Sequence, residues 1–428
     1  MLIFSHNISA RLDYTCSFIF KEQLGVEYSI TNSGDEFMGF NGVKINYSNT
    51  GLFTNSFKVS CQGLLFEQDI KLQDVHCFEH NSYKGFFKSN KEEVDFPFDI
   101  FSATFYLLSR YEEYLPHQKD EYGRYDHTNS IAFKENFLQL PLINIWIKDF
   151  AKAIQNKFPT FTFQPSTFTF QPTYDIDMAW SYKHKGLSRN IGGFLKSPSV
   201  HRLKVMTGLQ KDPFDTYDWL DEIHHQSKLQ PLYFFLLAQK NSPYDKNILP
   251  HKNAFKQLIK YHAEKYPVGI HPSCQSGDNF LLMKQEKKLL ENIIDKHITQ
   301  SRQHYIRFSL PHGYRRLIEA GITDDHSMGY GSINGFRASV ASSFNWYDLE
   351  SEKQTSLRIH PFCFMEANSF YEQQFTPQQA YAELLHYLKV CKEVNGRLIT
   401  IWHNNFFGSE KQFAGWKEIY QQFIAQVQ

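Results

Sequence analysis

The sequence predicts an α/β fold with a second, smaller domain ahead of it, and three observations carry that reading. Beyond residue 170, compact apolar runs alternate with amphipathic stretches, as a parallel sheet or barrel with helical crossovers requires. The 428 residues are too many for one domain, and two fit if one is an α/β barrel of about 250 residues. Between the halves lies a tandem repeat, Thr160–Pro165 and Thr167–Pro172, both reading Thr-Phe-Thr-Phe-Gln-Pro and separated by Ser166. Alternating Thr and Phe has the period of a strand, and proline closes each copy. Residues 1–158 are therefore expected to form an N-terminal α+β domain, 159–172 a linker leading into the first barrel strand, and 173–428 the barrel.

The N-terminal part opens with β-like runs at Tyr14–Phe20 and Phe57–Phe66. Asp99 then begins a helical run carrying Phe101, Phe105, Leu108 and Tyr111–Glu112 at three- and four-residue spacing, and Pro141–Ile154 is a second helix. No catalytic spacing stands out there. In the barrel, Leu232–Leu237, Val268–His271, Tyr305–Phe308 and Arg397–Trp402 read as strands. His251–Lys265, a run capped by Asp278, and a run after Thr376-Pro377 read as helices, with Gly321 and Asn395-Gly396 as stops.

Composition excludes several classes. Lys+Arg and Asp+Glu are equal at 45 each, without the basic excess that neutralises nucleic-acid phosphates. No apolar run approaches the ~20 residues that span a bilayer, and no basic segment leads a long apolar stretch at the N-terminus, which argues against a secretory signal. The six cysteines are scattered without a Cys-x-x-Cys pair, as expected of free thiols in a reducing compartment. A cytoplasmic protein is the expectation. The unusual feature is aromatic, with 40 Phe, 24 Tyr and 6 Trp.

In parallel α/β folds the chemistry sits at the carboxyl ends of the strands. Reading off those ends gives Asp175 and Asp177, His271, Asp324 and Asp325, then His403 and Asn404. In Asp175-Ile176-Asp177 the period of two sends both carboxylates to one face. Two such groups repel unless a cation or a proton intervenes, so metal binding or acid–base work is expected over a pair of turn acids. His271 reads either as a ligand or as a hydrogen-bonded structural residue, and His403 either as a core histidine or as a general acid. His224-His225 reads as helix surface.

These residues carry a resemblance. Thr173-Tyr-Asp-Ile-Asp177, Gly269-Ile-His-Pro-Ser273, Arg307-Phe-Ser-Leu-Pro311, Asp324 and Ile401-Trp-His-Asn404 follow in the order of the NodB-homology polysaccharide deacetylases (carbohydrate esterase family 4), which residues 168–407 resemble. Phe98-Asp-Ile-Phe with Leu-Leu-Ser-Arg-Tyr-Glu-Glu-Tyr114 resembles the uncharacterised domain found ahead of this barrel in bacterial members. The resemblance implies a distorted (β/α) barrel and metal-dependent removal of an acetyl group from an N-acetylated sugar of a bacterial polysaccharide or glycan. It makes Asp175 the general base, Asp177 and His271 ligands of a divalent metal, zinc for preference, and His403 the general acid. Arg307 and Pro311 match the motif that lines the groove, Arg307 orienting the base. Asp324, Tyr330, Trp402 and Asn404 complete the expected substrate contacts.

One position departs from the pattern. The family's second motif is His-x-x-x-His, and the fourth residue after His271 is Gln275, a weak neutral donor beside imidazole. His304 or His326 could supply the missing ligand; His304 is favoured, although it begins a presumed strand, the wrong end for a site. The alternatives are loose metal binding, or a barrel that has lost hydrolysis and acts as a carbohydrate-binding or glycan-assembly partner. A carbohydrate ligand, no nucleic acid and no membrane span are the expected partner pattern; the oligomeric state is not legible. Tyr174, Trp180, Tyr182, Tyr330, Trp346, Tyr347, Trp402, Phe406 and Phe407 are the rings expected to stack on a sugar.

Overall fold

The computed structural model describes residues 1–50, 53–90, 93–196 and 199–427, with the backbone alone at 187, 188, 194 and 196. Its N-terminal part holds a four-stranded parallel sheet of β1 (Leu2–Phe4), β2 (Ser29–Thr31), β3 (Lys44–Tyr47) and β4 (Phe57–Val59), in the order β2-β1-β3-β4, and a hairpin of β5 (Phe78–His80) and β6 (Tyr83–Gly85). The helices Ile100–Leu108 and Leu142–Lys157 pack on it. The first begins where the sequence places it, and Asp99 caps it by accepting from Ser102 N–H. The run Tyr14–Phe20 is helical, not extended. Leu12, Cys16, Ile19 and Phe20 are buried at three- and four-residue spacing, and that period overrides the β-propensity of the aromatic residues.

The larger sheet has nine strands: β7 (Thr169–Ile176), β8 (Leu232–Leu236), β9 (Val268–His271), β10 (Gln300–Ser301), β11 (Asp324–Asp325), β12 (Phe344–Asp348), β13 (Lys353–Ile359), β14 (Phe364–Met365) and β15 (Arg397–His403). Their order is β12-β13-β11-β10-β9-β8-β7-β15-β14, parallel throughout except for the β12–β13 pair. Helices cross between the strands, and the whole is a distorted (β/α) barrel whose terminal strands do not pair with each other. Strand β7 sits between β8 and β15, with Asp175 opposite both Phe234 and His403. Register alone thus brings the first and last candidate residues side by side.

The fourth barrel strand differs from expectation. It is Gln300–Ser301, and the stretch read as a strand at Tyr305–Phe308 begins instead with a short 3₁₀ turn, His304–Ile306, with Tyr305 and Ile306 at φ 58° and 54°. His304 therefore follows the carboxyl end of a strand, which removes the objection to it. His224 is buried, and its Nε2 lies 2.7 Å from the Tyr174 hydroxyl; only His225 lies on the surface.

A buried charge cluster clamps the N-terminal part to the barrel. Arg337 donates to both oxygens of Glu113 at 2.8 and 2.7 Å, and Arg110 Nε donates to the same carboxylate at 2.8 Å. Burial pushes the Glu113 carboxyl up, but the two guanidiniums outweigh it and hold it at about 2. A second seam runs to the cleft, where Arg124 donates to Tyr305 O at 2.8 Å and Arg307 donates to Tyr122 O at 3.0 Å.

Candidate metal centre and cleft

Four strand ends converge on a cleft of about 340 Å³ at the carboxyl end of the sheet. Strand β7 contributes Asp175 and then Asp177, β9 ends in His271, the turn after β10 brings His304, and β15 ends in His403. Asp177, His271 and His304 offer one ligand atom each within 4.8 Å of one another, the one such Asp/His cluster among the described residues. His271 Nε2 is 3.1 Å from Asp177 Oδ1, and His304 Nε2 is 3.3 Å from Oδ2.

The far side of each ring is already committed. His271 Nδ1 bonds Arg302 O at 2.5 Å, and His304 Nδ1 bonds Asp245 Oδ1 at 3.0 Å. Both acceptors take the proton on Nδ1, which leaves the Nε2 of each ring to face the Asp177 carboxylate. Lone pair facing lone pair is repulsive unless a cation or an added proton lies between. Asp177 Oδ1, moreover, is buried without a hydrogen-bond partner. Two imidazoles and a carboxylate with oriented outer nitrogens fit a divalent cation, and N/N/O donors suit zinc. Burial pushes the His304 imidazole down, but Asp177 and Asp245 outweigh it and raise it to about 9. The chain's own groups therefore favour positive charge at the point where a cation would displace a proton.

Flanking groups complete the site. Arg302, buried in the barrel, donates from Nη1 to Asp175 Oδ1 at 2.9 Å and to Thr173 Oγ1 at 2.7 Å. Asp175 Oδ2 lies 3.7 Å from His271 Nε2. His403 Nδ1 lies 2.8 Å from Glu366 Oε1, and its Nε2 is 3.3 Å from Asp177 Oδ2. Burial lowers this imidazole, but Glu366 and Asp177 outweigh it and raise it well above the usual histidine range.

The structure brings Asp175, Asp177, His271, His304 and His403 into one cleft. It does not do so for Arg307, whose guanidinium donates to Tyr122 O and Cys274 O and pairs with Asp278. The arginine beside Asp175 is Arg302, and the strand that precedes it begins five residues earlier than the sequence pattern suggested. The expected substrate contacts also fall elsewhere. Pro311 caps the helix His312–Glu319, and Asp324 bonds His360 at 2.8 Å. Tyr330 is buried against Arg110 and Arg337. Trp402 is fully buried among Phe364, Phe407 and Tyr420. Asn404 spends its amide on Met178 O and Phe214 O. On β15 His403 faces the cleft and its neighbour Trp402 the other side of the sheet; in the 3₁₀ turn that follows, Asn404–Phe407, it is Asn405 and Phe406 that reach the cleft. Of the nine rings expected there, only Phe406 lines it; Tyr122, Tyr244, Tyr305 and Tyr371 supply the rest. Tyr122 stacks on Tyr305 with centroids 5.1 Å apart, and Tyr244 meets both edgewise.

Three supporting residues had no sequence signal. Asp245 is a single acid in a loop, and Glu366 and Arg302 directly follow strands only two residues long, β14 and β10. Gln275 finds its place through the first of these. Its amide donates to Asp245 Oδ2 at 3.0 Å, so it braces the carboxylate that orients His304 and is not itself among the converging donors.

Comparison with known proteins bears on both halves. Residues 1–159 match the model of a family of unknown function (DUF7033). No curated protein matches the chain. Solved structures that resemble it include a protein from Mycobacterium smegmatis provisionally assigned as a polysaccharide deacetylase, at 13% identity and TM-score 0.40 over 61% of this chain and 84% of that one. The polysaccharide deacetylase Bc1974 from Bacillus cereus is 11% identical with TM-score 0.30 over 61% and 88%. A CE4 family pseudoenzyme from Bacillus anthracis is 8% identical with TM-score 0.33, over 62% of each chain. At such identities and TM-scores the likeness says nothing about activity or substrate.

Proposed function

We propose that the protein is a metal-dependent amide hydrolase that removes an acetyl group from an N-acetylated sugar of a bacterial polysaccharide or glycan. The observation that carries this reading is a single cleft holding an Asp–His–His ligand set together with an arginine-paired carboxylate and a histidine whose Nδ1 is paired with a buried glutamate. Asp177, His271 and His304 would hold the cation, which when bound supplies Lewis-acid charge to polarise an acyl carbonyl and acidify a water. Asp175, with Oδ1 anchored by Arg302, keeps Oδ2 free to accept the proton of the attacking water. His403, kept charged by Glu366, gives its proton to the departing amine. Four tyrosines and Phe406 offer ring faces suited to a sugar. The same reading keeps residues 1–158, 159–172 and 173–428 as N-terminal domain, linker and barrel, and the cytoplasm as the location. No helix among the described residues is long and apolar enough to cross a membrane.

The test combines metal analysis of the purified chain with acetate release from chito-oligosaccharides. The expected result is one zinc per chain, lost in Asp177→Ala and His271→Ala, and acetate release abolished in Asp175→Ala and His403→Ala. Wild type without metal above those two variants would refute the metal centre. Metal retained without acetate release would refute the hydrolase and leave a sugar-binding barrel.

A further inference from the structure

Residues 178–211, which directly follow Asp177, contain seven Lys or Arg and no Asp or Glu, in a chain whose overall charge is zero. They form two helices, Leu187–Lys196 and Val200–Met206. Most large apolar side chains of the protein are buried, yet six of the fourteen well-exposed ones among the described residues fall here: Ile191, Leu195, Val200, Leu203, Met206 and Leu209, the second and last at 76%. A cluster of this kind is not the scattered surface leucine of an ordinary monomer.

The segment is built into the protein at both ends. Asp212 accepts from the backbone N–H groups of Ser181, Tyr182 and Lys183 at 2.7, 2.8 and 2.9 Å, closing the stem. Arg202 Nη1 donates to Asn190 O at 3.2 Å, tying one helix to the other. Arg189 Nη2 donates to Lys246 O at 3.2 Å, and Lys246 lines the cleft. The hairpin therefore stands at the carboxyl end of β7, beside the mouth of the candidate site.

Exposed apolar side chains interleaved with lysine and arginine, without any acid, match the chemistry of an anionic bilayer surface: hydrocarbon below, phosphate above. A nucleic acid would use the basic groups and leave the leucines in water. We propose that this hairpin docks the protein on an anionic lipid surface and holds the cleft against it, so that the acylated sugar it meets is carried on a lipid. The docking rests on this surface alone; only the lipid-carried sugar rests on the hydrolase reading above.

The experiment is co-sedimentation of the full chain with vesicles of pure phosphatidylcholine and of equimolar phosphatidylcholine and phosphatidylglycerol. Binding is expected to the anionic vesicles only and to weaken with salt. Lys204→Glu, at an exposed position, should weaken it about fivefold or more, the factor that about 1 kcal/mol per basic residue implies. Leu195→Ser/Leu203→Ser/Leu209→Ser should weaken it further, with unchanged thermal unfolding and unchanged acetate release from soluble chito-oligosaccharides. No binding by wild type, equal binding to both vesicles, or unaltered binding by the triple variant would each overturn the proposal; the last, with displacement by duplex DNA, would indicate a general polyanion site. Vesicle binding that persists while no acetate is released would overturn the hydrolase reading and leave the docking standing.

Discussion

Replacing Asp245 by asparagine is expected to weaken zinc binding by about 10- to 100-fold while leaving all three ligands in place. Asp245 is buried and collects four contacts: Ser242 Oγ and the Gln275 amide on Oδ2, both at 3.0 Å, and Cys274 N–H and His304 Nδ1 on Oδ1 at 2.8 and 3.0 Å. Burial pushes its carboxyl up, but these partners outweigh that and bring it to about 2, so it is ionised at any working pH. Asparagine keeps the shape and one acceptor oxygen but loses the charge that fixes the His304 tautomer and makes Nε2 more basic. A hydrogen bond to a charged group contributes about 1.5–3 kcal/mol, which agrees with the 10–100-fold typical of outer-sphere partners of metal-bound histidine. Gln275→Ala removes one exposed amide contact to the same carboxylate and should cost less than about fivefold. His304→Ala removes a ligand and should cost most. Competition with a chromophoric chelator gives the three affinities, with thermal unfolding as the folding control. If Gln275→Ala weakened zinc more than Asp245→Asn, or if His304→Ala bound zinc like wild type, the assignment of His304 as third ligand would be wrong.

Three other outcomes follow from the geometry. Tyr122→Ala, which removes a ring of the cleft wall supplied by the N-terminal part, should raise KM about 3- to 10-fold with kcat little changed, since an aromatic contact is worth about 0.5–1.5 kcal/mol; an unchanged KM on N-acetylated oligosaccharides would exclude that wall from sugar binding. Glu113→Gln leaves Arg110 and Arg337 buried with their carboxylate neutralised and should destabilise the fold by about 3–5 kcal/mol in urea unfolding; a loss below about 1 kcal/mol would show that water reaches this cluster. His224 and His262 are both lowered by burial to about 4, so the unfolded chain binds the extra protons and stability falls as pH drops from about 6.5 to 4, by up to about 3 kcal/mol per site. Asp325, raised by burial to about 6, works the other way, its contribution being lost as pH rises through that value. His262→Gln should flatten the acid limb of a stability-against-pH curve, and an unchanged limb would refute its share.

The candidate site was legible in sequence where it depended on local periodicity. Asp175 and Asp177 share a face because a strand repeats every two residues, and His271 and His403 end apolar runs that could hardly be anything but strands. The arginine and the third ligand depend on where β10 stops. That strand is two residues long, too short to leave a pattern, so the sequence puts the strand at Tyr305 instead; Arg307 comes from the motif that the resemblance supplies, and the structure puts Arg302 beside Asp175. The expected sugar contacts failed for a related reason. On β15 alternation turns Trp402 away from the cleft that His403 faces, and the 3₁₀ turn after the strand buries Asn404 while Asn405 and Phe406 face the cleft.

The sequence by itself determined the α/β class and the strand-end carboxylates and histidines, because each is written in nearest-neighbour spacing. Only the tertiary structure decided which further residues gather beside Asp177 and His271. His304, Asp245 and Gln275 come from three different loops, separated by up to 59 residues, and are brought together by the parallel order β8-β9-β10. It likewise decided that Tyr122 and Arg124, from the N-terminal part, form a wall of the cleft. Contacts between segments far apart in sequence leave no period in the chain; they exist only once the sheet has fixed which strand ends are neighbours.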